Sequence, residues 1–299
     1  MTRPSLRGEG GFAALLLAPT ALILGVVILV PLAVTLGYTV FNVNLLSDRK
    51  GAFVGLANYA EVLGAPWFWE SLGRTLYYTA VSLTAEIVVG LLVALLLNQK
   101  FRGVTALRIL IILPWAVPTN VSAALWKWIF HPEFGVLNAL LSGAGFISTY
   151  QAWLSDPLGA MNMVIWADSW KMTPLAAIFF LAALQFVNPS MYEAARIDGA
   201  GALRRFFGIT VPFLMPTLLV VVVMRTVEKF KAFDLFYVIT RGGPANGTKV
   251  LTYEVFLRGF TNLDFSLAAT LAYVMAFVIL ALTAVYQKVL KAQEGVYDV

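Results

Sequence analysis

Cysteine is absent from all 299 residues and histidine occurs once, as His131. Disulfides, Cys/His metal sites and a Cys/His catalytic set are excluded, and a Ser/His/Asp set would have to use that one imidazole. His131 stands before Pro132 at an expected helix end and reads as a solvated loop residue. Phosphate-binding loops are missing too. Gly242 to Gly247 has the right first spacing, but Thr248-Lys249 reverses the order that a nucleotide loop needs. Gly199-Ala200-Gly201 lacks the third glycine and follows no strand. Charge is scarce as well, at 12% of residues, where a soluble domain carries about 25%.

What replaces charge is apolar. Hydrophobic residues make up 60% of the chain, and the mean hydropathy is +0.82. That excess is too large for one soluble core, so the sequence describes an all-α, polytopic membrane protein. Its net charge of +5 is dispersed. It reads as a loop bias rather than a nucleic-acid patch, and no nucleic-acid partner is expected.

About six spans can be drawn in a single domain over 1–299: 12–40, 72–97, 106–130, 161–187, 212–240 and 265–289. The first follows Arg3 and Arg7. It is broken by Pro19 and Pro31, and it is too long for a cleaved signal, so it should be retained. In the third, Leu113-Pro114-Trp115-Ala116-Val117-Pro118 should kink the helix. Such a kink is tolerated where neighbours satisfy the freed carbonyls. Tyr150 and Trp153, in the loop 131–160, suit the membrane interface. With the N-terminus inside, the inner segments hold Arg3, Arg7, Lys100, Arg102, Arg108, Arg196, Arg204, Arg205, Lys288 and Lys291. The outer segments hold Arg49, Lys50, Arg74, Lys127, Arg241, Lys249 and Arg258. The bias favours cytoplasmic N- and C-termini and a cytoplasmic stretch 188–211.

The spans carry charges of their own. Arg225, Glu228, Lys229, Lys231 and Asp234 lie in the fifth, with Arg225 ~20 Å from its cytoplasmic end at ~1.5 Å per residue. Charges at that depth cost ~3 kcal/mol or more each, so they should face protein or a water-filled cavity. The spacing allows Arg225–Glu228, Glu228–Lys231 and Lys231–Asp234 pairs. Asp168–Lys171 could pair in the fourth span, beside Trp166 and Trp170, and Glu86 lies in the second. Two readings stand together: a self-neutralising ladder between helices, and the polar wall of a substrate path. Aromatic faces beside hydrogen-bonding groups suit a sugar, although Trp166 and Trp170 also suit packing.

The densest polar stretch, 188–211, lies between two apolar spans. Ser190 can cap a short helix there, Glu193 falls at the capping-box position and Gly199 can end it, with a second short helix before Pro212. Glu193-Ala194-Ala195, then Gly199, Ile209 and Val211-Pro212 resemble the EAA loop of binding-protein-dependent ABC importer permeases. Val211 stands where that pattern usually has leucine. Further stretches resemble the carbohydrate permeases of this class, nearest the first-type subunit of maltose/trehalose and related importers. They are Phe53 to Tyr59, Leu113 to Pro118, Trp126 to Phe130, Gly135 to Asn138, and Phe233 to Thr240 with Gly242-Gly243-Pro244. Arg241 departs from the glycine usual before that last motif.

The resemblance implies a type I importer permease fold in the cytoplasmic membrane of a prokaryote. It implies a similar second permease subunit, two ATP-binding cassette subunits and an extracytoplasmic sugar-binding protein, with lipid around the spans. ATP and magnesium would sit on the partner ATPase, with no cofactor on this chain, and the chain would not itself be an enzyme. Glu193, Ala194, Ala195, Asp198 and Gly199 would form the coupling helix and its turn. The alternatives are a secondary transporter that couples ions through the buried charges of the fifth span, and a membrane-embedded enzyme.

Overall fold

The structure is a computed structural model that describes residues 7–46 and 51–294. Arg3, Arg49 and Lys50 lie outside them, as do the side chains of Arg7 and Lys291. The described residues form helices and no strand beyond two isolated bridges. In chain order the helices are α1 (Arg7–Leu24), α2 (Val30–Tyr38), α3 (Ala57–Gly64), α4 (Pro66–Leu97), α5 (Val104–Ala116), α6 (Thr119–Ile129), α7 (Val136–Gly143) and α8 (Pro157–Leu184). They continue as α9 (Pro189–Ile197), α10 (Ala202–Arg205), α11 (Val211–Phe230), α12 (Asp234–Ile239), α13 (Leu251–Phe256) and α14 (Phe265–Glu294). Wide π-helical turns at Gly25–Leu29, Phe206–Thr210 and Leu257–Thr261 join or extend some of them. Among the described residues four helices are long and apolar enough to cross a membrane, giving up to six spans if each of two bent pairs counts as one.

The chain divides into two compact units. The first comprises Met1–Ala65 and Val255–Val274. In it, Asn44 Nδ2 donates to Asp264 Oδ2 at 2.8 Å, and the Tyr273 hydroxyl donates to the Leu32 carbonyl at 2.6 Å. The π turn Gly25–Leu29, rather than Pro19 or Pro31, interrupts its first span. Side chains along Gly11–Tyr38 are almost all exposed.

The second unit comprises Pro66–Glu254 and Met275–Val299, with α8 at its centre against α4, α5, α6, α11 and α12. One face of α4 explains the packing. Ser71, Thr75, Tyr78, Ser82, Glu86, Gly90, Ala94 and Leu97 recur at helical spacing and are all buried. The face is polar over its first two-thirds and small or apolar at its end, where Ala94 and Leu97 join Ala176, Phe180, Leu181 and Leu184 of α8 and Leu214 and Val221 of α11 in one core. Gly90 sets how closely α4 and α8 approach. A Cβ there would lie 2.9 Å from Ala176 Cβ and 3.2 Å from the Ala177 nitrogen. Gly90→Val should therefore push the helices apart and cost roughly 1–3 kcal/mol. The expected readout is a lower thermal inactivation midpoint of the purified permease, and an unchanged midpoint would contradict this packing.

Four boundaries differ from the sequence reading. The third span is not one kinked helix: α5 and α6 turn through 94°. Val117 is extended at φ −70°, ψ 131° because it precedes Pro118, and the helix stops there. The fourth helix begins at Pro157, capped by the Asp156 side chain, which accepts from the Gly159 amide at 2.7 Å. The fifth runs from Ala202 to Phe230. It starts before Pro212 because the π turn Phe206–Thr210 makes room for the proline ring, and it stops ten residues short of 240. The last helix continues to Glu294.

Candidate functional site

Three helices, α4, α8 and α11, deliver the intramembrane charges to one place. Arg225 of α11 forks onto Glu86 of α4, its Nε donating to Oε2 at 2.9 Å and its second terminal nitrogen to Oε1 at 3.2 Å. It also pairs with Glu228 one turn on. Lys229 bridges Glu86 and Asp168 of α8. The Tyr78 hydroxyl donates to Asp168 Oδ2 at 2.8 Å, and the Lys229 ammonium lies 5.2 Å from the Tyr78 ring centre. Glu86, Arg225 and Lys229 are each 2% exposed or less, whereas the Glu228 side chain is 41% exposed. With Lys171, the three cations balance the three carboxylates, which is the condition for keeping charge out of water.

Three of the sequence-expected pairings do not form. Lys171 does not meet Asp168, which Lys229 already holds. Its ammonium donates to the Trp115 carbonyl at 3.2 Å, at the end of α5 where Pro118 prevents the helix from continuing. The freed carbonyl is thus satisfied by a cation at a helix C-terminus, where the helix dipole also favours it. Lys231 pairs with neither Glu228 nor Asp234. The helix ends at Phe230, so the required spacing is lost, and both Lys231 and Asp234 are exposed. Trp166 and Trp170 are 45% and 41% exposed. Their rings lie 5.7 and 5.6 Å from Trp126, which also touches Phe130 at 5.1 Å. His131 is half-buried rather than solvated, with its ring stacked 3.4 Å from that of Phe134.

The stretch 188–211 folds as a short exposed helix and a reversal. Asn188, not Ser190, caps α9: its side chain accepts from the Ser190 amide at 3.0 Å, with Pro189 in the first turn. Proline suits that position because its missing N–H would have no helical partner there. Glu193, Ala194 and Asp198 are exposed and Ala195 is half-buried. Gly199 adopts φ 78° and ends the helix, and its amide and that of Ala200 return to the Arg196 and Ala195 carbonyls at 3.0 and 2.8 Å. Around it, Met191, Ile197, Leu203 and Phe207 are 46%, 87%, 74% and 64% exposed, an apolar patch set among charges. Tyr192 is tied to buried Thr210 by a 2.9 Å hydroxyl–hydroxyl bond, which joins α9 to the π turn that opens the fifth span.

At the other end of that span, Arg241 takes φ 52° and Gly242 φ 80° before Gly243-Pro244. A left-handed residue is what a glycine there would supply without strain. Thr248 closes the loop, donating to the Gly243 carbonyl at 2.8 Å and bonded to Thr240 at 2.7 Å. Nearby, burial and the Tyr237 phenol raise the Tyr253 pKa above its ordinary value. Among the described residues no group of three or more histidine, aspartate or glutamate side chains is placed to hold a metal ion. The sequence alone does not mark Tyr78, Tyr192 or Thr210 as site residues. The signal for Tyr78 was the polar stripe of α4, and Tyr192 and Thr210 simply flank the charged motif.

The chain matches the family described as binding-protein-dependent transport system inner membrane component over residues 86–294. It is 34% identical over 287 residues to the sulfoquinovosyl glycerol transport system permease protein SmoG of Agrobacterium fabrum, with 96% of this chain and 92% of that one covered. It is 35% identical over 283 residues to the trehalose/maltose transport system permease protein MalF of Thermococcus litoralis, covering 94% of each. A chain in the crystal structure of a bacterial alginate ABC transporter, in complex with an alginate pentasaccharide-bound periplasmic protein, superposes with a TM-score of 0.79 at 21% identity, covering 94% of each chain. That likeness shows the ABC importer permease fold.

Proposed function

Because the chain belongs to the family of binding-protein-dependent transport system inner membrane components, we propose that it is the permease subunit of an ATP-driven sugar importer, moving a di- or oligosaccharide such as maltose or trehalose into the cytoplasm. The chain is a multi-pass protein of the cytoplasmic membrane. The observation that carries the reading is the exposed helix α9 with its glycine turn. It offers Glu193, Ala194 and Ala195 beside an uncovered apolar patch, a surface suited to a groove on another subunit. Small alanines allow close approach, and Glu193 can make a charge-assisted contact. The relatives' names support the substrate class: they specify sulfoquinovosyl glycerol and trehalose/maltose, and the superposed transporter is named for alginate. All contain sugar residues.

The loaded binding protein docks on the outer segments near 41–69 and 240–264, including Gly242, Gly243 and Pro244. ATP and magnesium act on two partner cassette subunits, whose closure pushes on α9. Asp198 and Gly199 fix the angle at which α9 leads into the fifth span. Motion then passes to α11 and, through the Glu86–Arg225–Lys229–Asp168 cluster, to α4 and α8 as one body. A cavity shared with a second permease opens outward, takes the sugar and opens inward. On this chain the half-exposed Trp166, Trp170 and Glu228, with exposed Lys231 and Asp234, would be the side chains that meet the sugar. Buried Glu86, Asp168, Lys171, Arg225 and Lys229 would support that path from behind.

The test is purification with its partner subunits, followed by measurement of ATP hydrolysis across a sugar panel with the cognate binding protein. Stimulation by one sugar is expected. Stimulation by a peptide or by phosphate would overturn the substrate class. Uptake that stops when an ionophore collapses the ion gradients, with ATP still present, would favour an ion-coupled transporter instead.

A further inference from the structure

From Phe134 to Ser155 the chain carries no charged residue, although this segment lies between α6 and α8 rather than within a long apolar helix. Its helix α7 is apolar on its outward side. Leu137 and Asn138 are buried, whereas Val136, Ala139, Leu140 and Gly143 form one exposed stripe at i, i+3, i+4, i+7 spacing. Val136 and Leu140 are 55% and 66% exposed, and Phe134 and Phe146 at the two ends are 61% and 79% exposed. A helix that faces water carries polar residues on such a stripe.

The display is fixed in place. Asn138 donates to the Pro132 and Gln151 carbonyls at 3.2 and 2.9 Å, and its Oδ1 accepts from the Gln151 amide at 3.0 Å and the Trp153 indole at 2.9 Å. Both ends of the segment are thereby drawn onto one buried side chain, which orients the stripe outward. The exposed apolar surface also continues into α6 through Val121, Leu125 and Trp128, and α6 belongs to a helix pair apolar enough to enter the membrane. Lys127 beside them can extend its ammonium to the headgroups. Charges resume only at the flanks, Glu133 and Asp156.

We propose that residues 134–155 lie in the membrane interface as a hairpin seated on lipid, with Val136, Leu140 and Phe146 in the acyl boundary. An aqueous docking loop would need polar groups on the stripe, and the sequence supplies none there. Tyr150 and Trp128, with amphipathic rings, lie at the headgroup level. The proposal requires only that the chain is a membrane protein, so it stands apart from the identity of the transported solute.

Because this chain has no native cysteine, Leu140→Cys and Phe146→Cys give single spin-label sites on it, read in the complete transporter reconstituted in liposomes with cysteine-free partner subunits. Both labels should be relaxed several-fold more by oxygen than by a water-soluble nickel chelate, whereas a label at Glu133→Cys should show the reverse. Dominant nickel access at Leu140 and Phe146 would place the hairpin in water, and access to neither reagent would place it against a protein partner. Either result overturns the proposal. The unaltered complex supplies a second measurement that no substitution can disturb. A lipid-dissolved photoactivated carbene should leave adducts on Val136, Leu140 and Phe146, and their absence from that stretch while the long spans are labelled would equally overturn it.

Discussion

Glu86→Gln is expected to lower the stability of the permease more than any change on its lipid-facing surface. The carboxylate is fully buried and holds both Arg225 and Lys229. Removing its charge leaves an uncompensated cation between helices, which costs about 3–5 kcal/mol for a buried pair. Thermal unfolding of the purified permease should move down by on the order of 10 °C. The double variant Glu86→Gln/Arg225→Gln restores the balance, since Lys229 keeps Asp168 and Glu228 has 41% of its side chain open to other partners. It should recover part of that loss. A single variant with an unchanged midpoint would show that the cluster does not hold α4, α8 and α11 together.

Gly199→Val is expected to abolish most uptake while leaving the midpoint near that of the unaltered protein. A Cβ at residue 199 would meet nothing within 4 Å, so the obstacle is the backbone at φ 78° rather than space. A β-branched residue pays about 1–2 kcal/mol or more in that left-handed region, enough to re-aim α9 in a substantial fraction of molecules. Uptake should fall about tenfold or more. The order of substitutions is diagnostic. Asparagine tolerates the left-handed region better than alanine, so uptake should decline from Gly to Asn to Ala to Val. If alanine retained more uptake than the larger asparagine, side-chain volume against a partner would govern the turn instead.

The membrane class was readable in the sequence because long apolar runs leave few alternatives, and the expected six spans are reached only if each of the two bent pairs counts as one beside the four long helices. Helix ends were less so. Pro212 reads as a start, yet the π turn just before it lets the helix continue from Ala202. Pro118 reads as a kink and acts as a full break, because the extended Val117 before it leaves no helical turn to continue. Within the site, local spacing identified Arg225–Glu228 correctly. It misassigned Lys171, because a partner on the same helix is visible in sequence while the Trp115 carbonyl, 56 residues away, is not. Glu86 could be named but not paired, since its partners lie 139 and 143 residues further on. The polar stripe from Ser71 to Glu86 on an otherwise apolar helix carried the clue to where those partners dock.

The order of residues in the ionic cluster also bears on how the chain is made. Glu86 and Asp168 are synthesised before Arg225 and Lys229, so both acids are in place when the fifth helix leaves the ribosome. A helix carrying two cations enters lipid at a penalty of ~3 kcal/mol for each. Against preassembled α4 and α8, the same cations arrive at waiting carboxylates. Insertion of α11 is therefore expected to cost least while α4 and α8 are still beside it. Truncation between α8 and α11 would leave Glu86 and Asp168 in the bilayer without Arg225 and Lys229.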